Sequence, residues 1–194
     1  MTHRDADAAA DADAVAAALA ARVAAVTFLD RTADEVTATL IDTVADWAAG
    51  QGWRVYRRAR SVVALPPPYE HKHSTLDVAC ARPVGPPVVV EVDRTDRRRT
   101  VDKLLAEAAA GRVAIWLRWG TGAIAPPPAP IRLVTCAVTA RSGRAAGSGG
   151  AASAGAGAAA DTGRGRRFDR TRVGERPPPR HSDAGTATSA EPLA

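Results

Sequence analysis

The chain is poor in several residue types that often make a sequence easy to classify. Its 194 residues include two cysteines, Cys80 and Cys136, too few for a disulfide framework and without the paired spacing of a zinc site. Both are read as small buried apolar residues. No run of about 18 apolar residues occurs. The Ala-rich start is interrupted by Asp5, Asp7, Asp11, Asp13 and Arg22, which argues against a membrane span or secretory signal and for a cytoplasmic protein. Asn is absent, Gln occurs once, and two lysines, Lys72 and Lys103, stand against 24 arginines. That skew, with 45 alanines, has the look of GC-rich coding. Single Arg and Ala residues therefore carry less meaning, and the two lysines more.

Large apolar side chains are scarce as well, because Ala supplies about half of the 46% hydrophobic content and each Ala buries little surface. Seven of the eight aromatic residues fall between Phe28 and Trp119. The natural division is one domain over residues 30–140 with two flanking segments. Residues 1–29 read as a marginal helix or a disordered lead-in, offering no large side chain before Leu19, Val23 and Val26 except Val15. Residues 141–194 are rich in Gly, Ala, Ser, Arg and Pro without periodicity and read as disordered. The formal net charge of +5 divides into −2, +3 and +4 over these three parts. A basic tail beside a mildly basic domain suits a polyanionic partner such as nucleic acid, or simply keeps the chain soluble.

Within the central part, Thr32 and Glu35 form a capping-box pattern, and Val36, Leu40, Val44 and Trp47 follow at helical spacing. A helix is expected over 33–49, ending at Gly50. Trp53 to Leu65 reads as a strand or hairpin arm, stopped by Pro66 to Pro68. Ser74 to Ala81 reads as a second strand with Leu76, Val78 and Cys80 on one face, and Pro87 to Asp93 as a third, joined to it by the short turn Arg82 to Pro86. A helix over Thr100 to Ala110 follows, with Thr100 as N-cap and Gly111 at its end. Arg112 to Trp119 and Ile131 to Val138 complete the strands. The fold class is α/β, a small mixed sheet in the order helix, three strands, helix, strand.

The chemistry-bearing residues cluster in this central part. If the second and third strands pair, Asp77 can face Glu91, and alternation puts Glu91 and Asp93 on one face. Three converging carboxylates suit Mg²⁺ or Mn²⁺, or they pair with neighbouring arginines on a solvated face. The element order and these acids together resemble the PD-(D/E)xK superfamily, the restriction-endonuclease-like nucleases. Leu76-Asp77-Val78 and Glu91-Val92-Asp93 correspond to that family's two acidic motifs. The sequence departs from the pattern in having Asp93 where the triplet Lys stands and Leu76 where a Pro stands.

The resemblance implies a Mg²⁺- or Mn²⁺-dependent phosphodiesterase acting on DNA. Asp77, Glu91 and the Val92 carbonyl would hold the metal, Asp93 would be a further ligand, and Lys103 would replace the missing triplet lysine from the following helix. An equal alternative is that Lys103 is a surface residue pairing with Glu107. Glu35 is a supporting acid or simply part of the capping box. Arg94, Arg97, Arg98 and Arg99 would grip phosphates, or form a solvated loop. His71 and His73 read as surface residues, and at least one of Trp116 and Trp119 as packing beneath the sheet. A homodimer is the arrangement through which such a domain would cut both strands. A non-catalytic nucleic-acid or protein-binding module on the same fold is the alternative.

Overall fold

The computed structural model describes residues 3–142 and 166–171. The capping box closes as the sequence implies. The Thr32 amide donates to Glu35 Oε2 at 2.7 Å and the Glu35 amide to Thr32 Oγ1 at 3.2 Å, which starts helix α2 at Ala33–Gly50 and satisfies two of its orphan donors. Its apolar stripe, Val36, Leu40 and Val44, is fully buried. Gly52, at φ +75°, then turns the chain into a strand.

In chain order the elements are α1 (His3–Ala24), β1 (Phe28–Arg31), α2, β2 (Arg54–Ala64), β3 (His73–Ala81), β4 (Val88–Asp93), α3 (Arg98–Ala109), β5 (Val113–Gly120), β6 (Arg132–Ala137), β7 (Thr139–Ser142) and β8 (Arg166–Arg170). A five-stranded mixed sheet runs β2-β3-β4-β5-β6. Its first three strands are antiparallel neighbours, whereas β4, β5 and β6 are parallel and α3 bridges β4 to β5. One face carries α1 and α2 over a core that includes Leu19, Leu40, Val78, Val90, Ile115 and Trp119. The other carries α3 over Leu76, Val89, Leu104, Ala114, Trp116 and Ile131. Because β4 and β5 are covered on both faces, they read as near-continuous apolar runs instead of alternating ones.

Several expectations change. The N-terminal segment is neither marginal nor separate: α1 buries Ala12, Val15, Ala16, Leu19 and Val23 against the core. The Ala stripe that looked too weak to pack works through close approach, with Arg82 donating two hydrogen bonds to Asp11 at 2.9 and 2.6 Å. The tail is not wholly without structure, since β8 inserts between β1 and β7 in a second, antiparallel sheet. Phe168, the one aromatic beyond Trp119, is buried there edge-on to Trp119 at 5.2 Å. The remaining tail residues, 143–165 and 172–194, lie outside the described ones. Helix α3 begins at Arg98 with Arg97 as N-cap, not at Thr100, which is buried. Leu76, Val78 and Cys80 do not share a face, because Leu76 joins the α3 side and the other two the α2 side. No described helix is long and apolar enough to cross a membrane.

Candidate functional site

Strands β3 and β4 pair through Cys80↔Val88, Ala79↔Val89 and Val78↔Val90, and then separate. Past that point side chains replace the backbone ladder. The Asp77 amide donates to Glu91 Oε1 at 3.3 Å, and the Val92 amide donates to Asp77 Oδ2 at 2.8 Å. Each strand thus lends the other a carboxylate where its partner's carbonyl would have been. The opening between them forms the base of a cleft of about 820 Å³. Its walls come from α2 (Asp34, Thr37, Ile41), β3 (Ser74, Thr75, Asp77), β4 (Glu91, Asp93) and the chain into α3 (Arg94, Arg97, Arg99).

Lys103 reaches this base from α3. Its Nζ lies 2.7 Å from Glu91 Oε2 and donates to the Thr75 carbonyl at 2.7 Å. Both charged side chains are nearly buried, at 10% and 7% exposure, so they act in a weakly screened environment. Lys103 does not pair with Glu107. That acid is fully buried one turn along, accepting from Ser61 Oγ at 2.6 Å, from the Val62 amide at 2.8 Å, and from Arg112. Opposite charges on one helix face are therefore anchored separately, Lys103 to β3 and β4, Glu107 to β2.

Burial pushes the Glu91 carboxyl up to about 7 despite the ammonium beside it, and the nearby Asp77 and Asp93 charges add to the rise. Burial also raises Asp77, against the lowering effect of the Val92 amide and the Lys103 and Arg58 charges. Both buried thiols, Cys80 and Cys136, are shifted upward by burial, which keeps them protonated and inert.

The predicted site residues are brought together unevenly. Asp77, Glu91 and Lys103 meet. Asp93 lines the same cleft, but its Oδ2 accepts the Trp116 indole N–H at 3.0 Å and its Oδ1 lies 3.8 Å from Arg97. The expected convergence of three carboxylates does not occur: among the described residues no three His, Cys, Asp or Glu side chains are grouped to hold a metal ion. The physical reason is the Trp116 N–H, a buried donor that needs an acceptor. Arg94, Arg97 and Arg99 line the cleft, whereas Arg98 is turned onto the solvent side of α3, 3.9 Å from Asp102. Arg94 rests over the Trp119 and Phe168 rings, at 5.9 and 5.1 Å. Trp116 and Trp119 are both buried.

His71 is exposed and His73 bonds the Ser61 carbonyl, so neither joins the carboxylates. Glu35 is spent on the helix cap. The acid that α2 presents to the cleft is Asp34, one residue earlier and missed in the sequence. Its signal was there: Asp34, Thr37, Ala38 and Ile41 recur at i, i+3, i+4 and i+7 beside the apolar stripe.

Compared with known proteins, the sequence matches no family model and no curated protein. What this site does must therefore be argued from its own chemistry.

Proposed function

We propose that the cleft is the site of a divalent-metal-dependent phosphodiesterase acting on DNA, of the PD-(D/E)xK type. One observation carries the reading: the splay of β3 from β4, which seats Asp77 and Glu91 side by side at the base of a cleft with an ammonium behind them and arginines around its rim. The donor set suits Mg²⁺ or Mn²⁺. Asp77 and Glu91 are hard oxygen ligands, and Asp77 Oδ1 has no hydrogen-bond partner among the described residues. Asp77, Glu91 and the Val92 carbonyl are the groups that would hold the ion. When bound, such an ion polarises a phosphate oxygen and lowers the pKa of an attached water.

The protein's own residues have distinct tasks in this reading. Arg94, Arg97 and Arg99 bind phosphates and fix the polymer along the cleft. Arg94 is held for this by its two aromatic rings. Lys103 compensates the charge of Glu91 and orients its carboxylate through the second bond to Thr75. Asp93 acts on the pair through its charge, which adds to the rise that burial gives both carboxyls. The test is cleavage of plasmid, linear and single-stranded DNA with Mg²⁺ or Mn²⁺, comparing the intact chain with Asp77→Asn. Metal-dependent cleavage lost in the variant supports the reading; no cleavage and no metal binding by calorimetry overturns it.

A second reading is favoured by a specific feature, the saturation of Glu91 by Lys103 and the Asp77 amide and of Asp93 by Trp116. Carboxylates satisfied internally fit a module that binds nucleic acid without cutting it. Salt-sensitive DNA binding, unaffected by chelator and without cleavage, would establish that alternative.

A further inference from the structure

The register of β2 against β3 contains a break in alternation. Residues directly opposite in an antiparallel pair share a side of the sheet, and Arg57 opposite Val78 obeys this: Val78 packs in the α2-side core and Arg57 pairs with Asp42 of α2. Two residues on, Ala59 is opposite Leu76, and both pack on the α3 side. Strict alternation would have put Ala59 and Arg57 on the same side. The strand therefore skips one step between them, and the residue that absorbs the skip is Arg58, at φ +51°. A non-glycine residue in this left-handed region is strained, and such strain persists where the surrounding structure imposes it, commonly at functional sites.

The skip has a geometric result. Arg58 occupies the register position between these two pairs, opposite Asp77, and the next pair but one is Arg60↔Thr75. Thr75 and Asp77 of β3 line the cleft, and Arg60 and Arg58 stand at the register positions across from them, so both arginines border the cleft on its β2 flank without being part of its lining. Both arginines are exposed, and neither side chain makes a hydrogen bond or ion pair among the described residues. Arg57, by contrast, is occupied by Asp42. The Arg58 charge also opposes, as the smallest of several effects, the rise that burial gives the Asp77 carboxyl.

We propose that Arg58, with Arg60 beside it, is a phosphate-contacting residue of this cleft, held over Asp77 by the left-handed kink and binding the backbone of a nucleic acid on the β2 flank. The proposal rests on the nucleic-acid reading above and extends it: the polymer is gripped from two sides, by Arg94, Arg97 and Arg99 beyond β4 and by Arg58 and Arg60 on β2. The strain is the cost of turning a cation that alternation would have aimed at α3.

The experiment measures binding of a fluorescent DNA duplex by the full chain across a salt series, without divalent metal, for the wild type, Arg58→Gly, Arg58→Asn and Arg58→Lys. Gly and Asn tolerate the left-handed conformation, so both variants should melt at or above the wild-type temperature. Each should lose close to one phosphate contact, lowering the slope of log affinity against log salt by about 0.9. Arg58→Lys keeps the charge and should keep the slope. If the wild type binds and the Gly and Asn variants match its affinity and slope, or Lys loses as much as Gly, the assignment of Arg58 is overturned while the proposed function stands. If the wild type binds no DNA, the nucleic-acid reading itself fails and the assignment with it.

Discussion

The two halves of the β3 and β4 pair make opposite use of the same kind of backbone. From Val78 to Cys80 the strands are knit by main-chain bonds and covered on both faces by apolar side chains. At Asp77 and Glu91 the ladder stops, and carboxylates take over the amides it leaves. A sheet opened without such substitutes would leave buried N–H groups unpaired, each costing about 1–3 kcal/mol. The acids at this end thus have a structural duty besides the chemical one proposed for them, and changing them should affect stability and activity separately.

The largest expected effect is on cleavage. Asp77→Asn retains a side-chain oxygen that can accept from the Val92 amide but loses the charge, so metal-dependent DNA cleavage should fall by at least about 100-fold while the thermal unfolding midpoint changes little. A large drop in that midpoint would mean that the carboxylate is chiefly structural. Next is Glu91→Ala, which strands the nearly buried Lys103 ammonium and should cost about 3–5 kcal/mol in denaturant unfolding. The double variant Glu91→Gln with Lys103→Met should cost much less than the sum of its parts, because neither charge is left alone. Additive losses would break the claim that the two side chains act as a pair.

Acidity gives a test of similar size. Glu91 keeps its proton up to about 7 in the folded chain against 4.5 ordinarily, so between those values the folded state binds more protons than the unfolded one. Stability therefore falls as pH rises through this window, by about 3 kcal/mol in full, and Glu91→Gln should flatten that part of the curve. Metal affinity should run the other way, rising with pH toward 7 as the ion displaces the proton. The smallest effect belongs to the apolar end: Val78→Ala should cost roughly 2 kcal/mol and leave cleavage per folded molecule unchanged. A loss of activity there would show that the two halves are not independent.

Local features were legible in the sequence. The Thr32 and Glu35 cap, the helix ends near Gly50 and Gly111, the strand cores and the helix carrying Lys103 follow from short-range rules, because each depends on neighbours within about one turn or one strand. So was the nearness of Asp77 to Glu91, read from strand spacing, whereas the reach of Lys103 came only from the family resemblance, with pairing to Glu107 as an equal alternative that the structure does not show. Three things were not. Helix α1 is held through Leu19, Val23 and an Ala stripe whose value depends on how closely another backbone comes. Strand β8 owes its place to partners far along the chain and to one Phe among arginines. Asp93 was placed with the other acids by alternation, yet the Trp116 indole N–H from a neighbouring strand claims it.

The sequence by itself determined the elements of the central part from the capped helix to the strand ending near Trp119 and which residue types could do chemistry, since patterning and capping are properties of adjacent residues. Only the tertiary structure decided where β3 and β4 part, which of the acids meet, and that Arg58 takes a left-handed conformation at the register position of Asp77. Those outcomes depend on how buried donors find acceptors and how a strand absorbs a step between two faces, and both are settled by groups distant in sequence that meet only on folding.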